Sequence, residues 1–263
     1  MVRRMPAAYR ADHRGKLFNF LWPFTRYVVT MLTVTIAGVY LVVFNRFRVR
    51  GRKNVPDRRN TLLLSNHQSM LDSFPIGVAA YYPQGWWKPF LIPWSPAASE
   101  NFYRTPILAW FCDQLKCIPV RPGRRDLKAL HRSMAALREA TMILFPEGTR
   151  SRDGEVKRGR PGAGLMILGT RPTVIPVAID GMREVLPIGT SVLRPFKRIT
   201  ISFGEPFDYS AYLGRPRSKE TAQELVDEIM ERIRIQLDEI RAGGDNERPE
   251  GHLESPSRAE DRA

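Results

Sequence analysis

Thr61-Leu62-Leu63-Leu64-Ser65, followed at once by Asn66-His67-Gln68-Ser69-Met70-Leu71-Asp72, is the stretch on which the fold turns. The apolar run reads as a buried strand. The segment after it puts an imidazole and a carboxylate on the turn leaving that strand. A neutral imidazole held by a carboxylate is a general base with an orienting partner. The alternative is structural: His67 caps a helix over 69–80, and Asp72 stabilises its first turn through the helix dipole.

Outward from this strand, short apolar runs alternate with helical stretches. The strands predicted are 61–65, 89–93, 117–120, 141–145, 173–179 and 198–203. Helices are predicted near 70–81, 101–115, 125–139 and 161–169. Near-continuous apolar strands with helices between them argue an α/β fold, a mostly parallel sheet covered by helices on both faces. In such sheets functional groups collect at the carboxyl ends of strands. His67 follows the first strand and Glu147 the fourth, as that rule requires. Further on, Ser218 with Glu220 and Glu224, then Leu225, Ile229, Ile233 and Leu237 at helical spacing, predict an amphipathic helix over 218–241.

The N-terminal part has a different grammar. Residues 1–16 are basic, 17–24 are aromatic, and Tyr27 to Asn45 carry no charge. As a helix, 27–45 rises about 28 Å, against a hydrocarbon core of about 30 Å. No small-residue cleavage site comes after it, which argues against a signal peptide. Basic residues flank both ends, so the positive-inside rule selects no orientation. They suit a helical hairpin dipping into one leaflet from the cytoplasmic face, with Pro23 near the bend; the other readings are a single span or a buried helix of a soluble core. The domains predicted are therefore a membrane-associated helical segment at 1–45, an α/β domain at 46–241 and a disordered polar tail at 242–263.

Composition narrows the function classes. Of 263 residues 43% are apolar, which is enough for a proper core. Lysine and arginine number 41 against 27 acids, a net charge of +14 that points to a polyanionic partner such as anionic lipid or a phosphorylated substrate. Nucleic acid would need aromatic-interleaved basic patches or a helix-turn-helix, and neither is present, so no nucleic-acid partner is expected. Cys112 and Cys117 form no CxxC pattern, and the four histidines are scattered without HExxH; no metal site is indicated.

A second constellation strengthens the first. In Phe145-Pro146-Glu147-Gly148-Thr149-Arg150-Ser151 a proline stops a strand, a glycine allows close backbone approach, and Arg150 offers a fork matched to phosphate oxygens. Together these stretches resemble the NHxxxxD and FPEGTRS blocks of the glycerolipid acyltransferases, the family of 1-acylglycerol-3-phosphate acyltransferases. Val174-Ile175-Pro176-Val177-Ala178-Ile179 is similar to that family's fourth block. Order and spacing agree over roughly residues 45–210. Cys117-Ile118-Pro119-Val120-Arg121-Pro122 resembles the second block with a departure: Arg121 falls one place early, and Arg124 or Arg125 stands as a substitute. Ala97-Ala98-Ser99-Glu100 also departs, lacking the lysine that many members carry before the glutamate. Both departures touch the acceptor's headgroup.

The resemblance implies an O-acyltransferase at the cytoplasmic (inner) membrane, active site facing the cytoplasm. It implies transfer from a thioester, acyl-CoA or acyl carrier protein, to the sn-2 hydroxyl of a lysophospholipid acceptor, with no other cofactor. His67 and Asp72 would be the catalytic pair, without an acyl-enzyme. Glu147, Gly148, Thr149, Arg150 and Arg121 would bind the acceptor, supported by Asn66, Ser69 and Arg124. Ser69 reads as a helix-start residue rather than a nucleophile. Other acceptors, such as glycerol 3-phosphate, a headgroup-bearing lysophospholipid or a glycolipid, stay open. A lipid hydrolase would use the same base on water, but no GxSxG elbow is present.

Overall fold

Every residue of β2 (Thr61–Ser65) is buried. The strand lies between β5 (Thr141–Leu144) and β6 (Thr173–Asp180), both parallel to it. The computed structural model describes residues 15–121 and 126–243. Arg124, the basic residues before Gly15 and nearly all of the polar tail lie outside that range. Strand order is β1-β7-β6-β2-β5, with β1 at Arg46–Arg50 and β7 at Arg198–Phe203. Neighbours are parallel except β6 and β7. A separate parallel pair, β3 (Ser95–Ala98) with β4 (Cys117–Val120), is joined to β5 through a bridge between Trp94 and Met142.

Strand alternation sends side chains to two cores. Leu62, Leu64, Met142, Val174 and Ala178 face α5 (Leu127–Glu139), α6 (Pro161–Thr170) and α9 (Lys219–Ala242). Leu63, Ile143, Ile175, Val177 and Ile179 face α1 (Lys16–Phe44) and α2 (Ser73–Tyr81). This is the two-sided, mostly parallel sheet the apolar runs predict. The helix α9 begins where expected: the Ser218 hydroxyl accepts from the Thr221 N–H, and Leu225, Val226, Ile229, Ile233 and Leu237 form its buried stripe.

Four expectations change, the last of them at the N-terminal helix. Residues 89–93 are not a strand but a 3-10 turn over Pro89–Leu91. Their carbonyls are satisfied by side chains instead of a ladder: Lys116 Nζ donates to Pro89 O and Ile92 O at 2.8 and 2.7 Å, and Thr141 Oγ1 donates to Leu91 O at 2.7 Å. The helix expected over 101–115 is divided into α3 (Ser99–Phe102) and α4 (Pro106–Gln114). Pro106 has no N–H to continue a helix, and Thr105 caps the new one by accepting from Leu108. Arg46–Arg50, read as a basic flank, is the strand β1, paired with β7.

The helix α1 runs unbroken through Pro23 over 29 residues, about 43 Å, so the hairpin with its bend at Pro23 does not form. One stripe, Trp22, Thr30, Met31, Gly38 and Leu41, is buried against the domain. Trp22 Nε1 and Thr30 Oγ1 donate to the carbonyls of Asp113 and Gln114 at the end of α4. The opposite face leaves Phe20, Phe24, Ile36, Val42 and Val43 each more than 60% exposed.

Candidate active site

The turn after β2 is held by a side chain imitating a strand. Asn66, buried, donates from Nδ2 to Ile179 O and accepts from Ile179 N, both at 2.9 Å. Its amide thus adds one more rung to the β2–β6 ladder and stops the backbone there. His67 comes next. Its Nδ1 lies 2.9 Å from Asp72 Oδ2, and the same oxygen accepts from the Gln68 and Ser69 N–H groups at 2.6 and 2.8 Å. Asp72 is wholly buried, directly before α2. A carboxylate held by two amides cannot rotate away from the ring. Nδ1 is thereby committed, and Nε2 is the nitrogen left for the cavity that His67 lines. The ring stacks on Phe145, centroids 4.1 Å apart and 15° from parallel.

The second constellation grips the first through its backbone. The Ser151 N–H donates to His67 O at 2.7 Å, and the His67 N–H donates to Glu147 Oε1 at 3.3 Å. Glu147 is only 4% exposed and does not line the cavity. The acceptor contact expected of Glu147 is therefore replaced by a position behind His67. Burial lifts its carboxyl to about 7, opposed by backbone hydrogen bonds from His67 and Lys157. Ser69 differs as well. It lies in the turn ahead of α2, not in the helix, and its buried hydroxyl donates to Leu186 O at 3.1 Å.

Gly148, Thr149, Arg150 and Arg121 do line the cavity, and Arg121 stands just past the end of β4. Arg160, which precedes α6, lines it too and was not singled out by sequence. Gly148 has φ +70, and a Cβ there would sit 3.0 Å from Arg160 Nε. The missing side chain is what lets Arg160 lie against this loop. Among the described residues neither Arg150 nor Arg160 forms an ion pair. Ser151 and Phe145 are quoted in the motif, but nothing local signals their backbone and stacking contacts to His67.

The cavity measures about 540 Å³ and is lined at the end of β5 from both faces of the sheet, by Ile143 on one and Leu144 on the other. One lobe is walled by Met31 and Val34 of α1 and by Phe74, Gly77 and Tyr81 of α2. The other is walled by Leu130 and Ser133 of α5 and by Ala163 and Met166 of α6. A largely apolar cavity lined also by an imidazole and by arginines suits an amphiphile with an anionic head. Among the described residues no three His, Cys, Asp or Glu side chains gather to hold a metal.

Comparison with known proteins gives the family and the fold. The profile of the Acyltransferase family matches residues 46–180, more than half of the chain, from β1 to the end of β6. The chain belongs to the Acyltransferase family. It is 24% identical over 174 residues to a chloroplastic 1-acyl-sn-glycerol-3-phosphate acyltransferase of Arabidopsis thaliana, covering 65% of this chain and 46% of that one. It is 28% identical over 177 residues to a 1-acyl-sn-glycerol-3-phosphate acyltransferase of Pseudomonas aeruginosa, covering 65% and 59%. The chain thus spans about half the length of these relatives. The crystal structure of the 1-acyl-sn-glycerophosphate acyltransferase from Thermotoga maritima superposes with a TM-score of 0.63 at 22% identity, covering 86% of this chain and 92% of that one. That likeness shows the fold.

Proposed function

We propose that the chain transfers a fatty acyl group from a thioester to the sn-2 hydroxyl of 1-acylglycerol 3-phosphate, forming phosphatidic acid. The observation that carries this reading is the His67–Asp72 pair on the wall of an apolar cavity, with Nδ1 locked and Nε2 available. Nε2 takes the proton from the acceptor hydroxyl as its oxygen attacks the thioester carbonyl carbon. Asp72 stabilises the imidazolium that forms. The tetrahedral intermediate collapses by breaking the C–S bond, and the imidazolium returns the proton to the thiolate. Phosphatidic acid and a free thiol leave, with no acyl-enzyme. Base catalysis of this kind contributes typically ~100- to 10,000-fold.

Arg150, with Arg160 beside it, receives the acceptor's phosphate in this scheme. Glu147 acts from behind, fixing the His67 backbone. The names of the relatives supply the acceptor, and glycerol 3-phosphate or a headgroup-bearing lysolipid remains the competing substrate. The lobe walled by α1 and α2 takes the donor's chain.

Membrane attachment is argued from the exposed face of α1. A helix docked along its length on a charged domain cannot cross the bilayer without dragging that domain in. We therefore place α1 in one leaflet, apolar face down, with Trp86, Trp87, Ile107 and Phe111 exposed nearby as further contacts. The chemistry then sits at the cytoplasmic membrane surface, where acceptor and product reside.

The test is mass spectrometry of products from purified protein given mixed lyso-acceptors and mixed thioesters. Phosphatidic acid as the main product supports the reading. His67→Ala and Asp72→Asn should each abolish transfer while the fold and membrane binding persist, and full activity of His67→Ala would sink the mechanism.

A further inference from the structure

Two segments mount the catalytic pair, and one arginine outside the motifs meets both. The loop after β5 holds the His67 backbone through Ser151, and the turn after β2 holds Asp72 through the Gln68 and Ser69 amides. Arg241, in the last turn of α9, lies beyond the residues that the family profile matches. Its Nη2 donates to Gly154 O at 2.9 Å and its Nη1 to Glu155 Oε1 at 2.8 Å. Nη2 also lies 3.8 Å from Asp180 Oδ1, and that oxygen accepts from Gln68 Nε2 at 2.9 Å.

Each arm leads to His67 in a few bonds. The Gly154 N–H donates to Ser151 Oγ at 3.0 Å, closing the turn whose Ser151 N–H reaches His67 O. Gly154 has φ +88, and a Cβ there would sit 3.2 Å from Arg241 Nη2, so a side chain would crowd the guanidine. Arg183 also holds this turn, through Arg152 O at 3.1 Å, but Arg241 is the side chain that meets both segments. On the other arm, Asp180 at the end of β6 holds the side chain of Gln68, which is 1% exposed. The N–H of Gln68 donates in turn to Asp72 Oδ2 at 2.6 Å. Leu237 and Ile240 seat this end of α9 in the core, so Arg241 is presented from a fixed element. Neither Arg241 nor Asp180 lines the active-site cavity, so the pair acts on the reaction only through these segments.

As a stability element the cluster is minor. The side chains of Arg241 and Asp180 are each 33% exposed and that of Glu155 61%, and ion pairs so exposed contribute little to stability. Position is another matter, because a reacting group misplaced by about 1 Å can lose ~100-fold in rate. We infer that Arg241 is a positioning residue: from the end of α9 it pins the turn at 151–155 and, through Asp180, Gln68, and so holds His67 and Asp72 in register. The inference rests on the acyl-transfer reading for the role of His67.

The experiment uses the full chain in detergent micelles, wild type against Arg241→Ala, Asp180→Asn and the double variant. Arg234→Ala is the control, since Arg234 pairs with Glu231 on the surface of the same helix. With a thioester and a lysophospholipid as substrates, Arg241→Ala should lower kcat at least ~10-fold while both KM values and the unfolding temperature stay nearly unchanged. Millimolar guanidinium ion should restore part of that loss and leave wild type unaffected. Asp180→Asn keeps an oxygen for Gln68 but loses the charge that Arg241 meets, so the double variant should lose no more than Arg241→Ala alone. Amide hydrogen exchange should quicken at 66–72 and 151–155 in Arg241→Ala and not in Arg234→Ala. A kcat within about twofold of wild type, a change confined to KM, unaltered exchange at both segments, or an Arg241→Ala chain unfolded at the assay temperature would each overturn the assignment. Failure of wild type to transfer from any thioester would instead refute the acyl-transfer reading, and the exchange measurement would still decide whether Arg241 holds the two segments.

Discussion

The Ser151 N–H donates to the carbonyl oxygen of His67 at 2.7 Å. With the His67 N–H on Glu147 Oε1, both backbone groups of the histidine are held by one loop. The loop after β5 is therefore part of the histidine's mounting as well as a wall of the cavity. The ring is fixed separately, by Asp72 on its edge and Phe145 on its face. Disturbing the loop should then shift His67, even where no substrate is touched.

Glu147 offers the first test. Its carboxyl has a pKa of about 7 in the folded chain against an ordinary value of 4.5, because burial disfavours the charge. Between those values the folded chain holds the proton more tightly than the unfolded chain. The stabilisation is complete below pH 4.5 and is lost as the pH rises through about 7. Glu147→Gln keeps an oxygen for the His67 N–H but cannot ionise. Relative to wild type, the variant should gain up to ~3 kcal/mol across that window, read by denaturant unfolding at a series of pH values. A difference that does not vary with pH would mean that Glu147 does not titrate there.

Asn66 is both donor and acceptor to Ile179, and no other side chain of its shape does both. Asn66→Asp keeps the acceptor for the Ile179 N–H but turns an oxygen toward the Ile179 carbonyl. A buried carboxylate facing a carbonyl should cost ~2–4 kcal/mol in stability. Asn66→Ala should cost somewhat less, since it leaves the two Ile179 backbone groups unpaired without adding charge. Thermal unfolding of the two variants gives the order, and a smaller loss for the aspartate would contradict this account of the turn.

The strand–turn core was legible because its signal is local: an apolar run, then polar groups, on contiguous residues. The same holds for α9, whose cap and stripe are both written in 218–240. What stayed hidden depends on distant partners. Arg46–Arg50 carries three arginines in five residues and reads as a flank, and it becomes a strand only because β7 offers an open edge. Phe90-Leu91-Ile92 has strand composition, but the buried Nζ of Lys116 takes the carbonyls of Pro89 and Ile92 on either side of Leu91. Pro23 suggested a bend into a hairpin, yet α1 continues through it, with Trp22 and Thr30 bonded to the end of α4. At the site, the motifs singled out His67, Asp72 and Arg150, but could not say that Glu147 sits behind the His67 backbone or that Arg160 joins the cavity lining.

Gly148 tests the neighbourhood of Arg160. Its φ of +70 is unfavourable for alanine, and the added Cβ would press on the Arg160 guanidine at 3.0 Å. Gly148→Ala should cost ~1–2 kcal/mol of stability from backbone conformation alone. Displacement of Arg160 should raise KM for the phosphorylated acceptor several-fold more than KM for the thioester. A larger effect on the thioester would move Arg160 out of the acceptor's site.

The exposed face of α1 tests the proposed membrane attachment. Phe20, Phe24 and Ile36 are 82%, 70% and 69% exposed and contribute little to the domain's own core. Burying a large apolar side chain is worth ~1.5–3 kcal/mol, so each one withdrawn from lipid should weaken partitioning about tenfold or more. Phe24→Ser/Ile36→Ser should therefore release the protein from anionic vesicles in a flotation assay, with its unfolding temperature nearly unchanged. Turnover on acceptor dispersed below its micellar concentration should persist, because the cavity wall is made by the other face, Thr30, Met31 and Val34. Retention on vesicles by this variant would indicate that the helix is held in the membrane by more than its exposed stripe, as a span would be. Substitution of Met31 by alanine provides the contrast. Met31 is 2% exposed and lines the cavity, so Met31→Ala should leave vesicle binding intact and alter which acyl chains are accepted. Membrane attachment and acyl selection would then be separated on two faces of one helix.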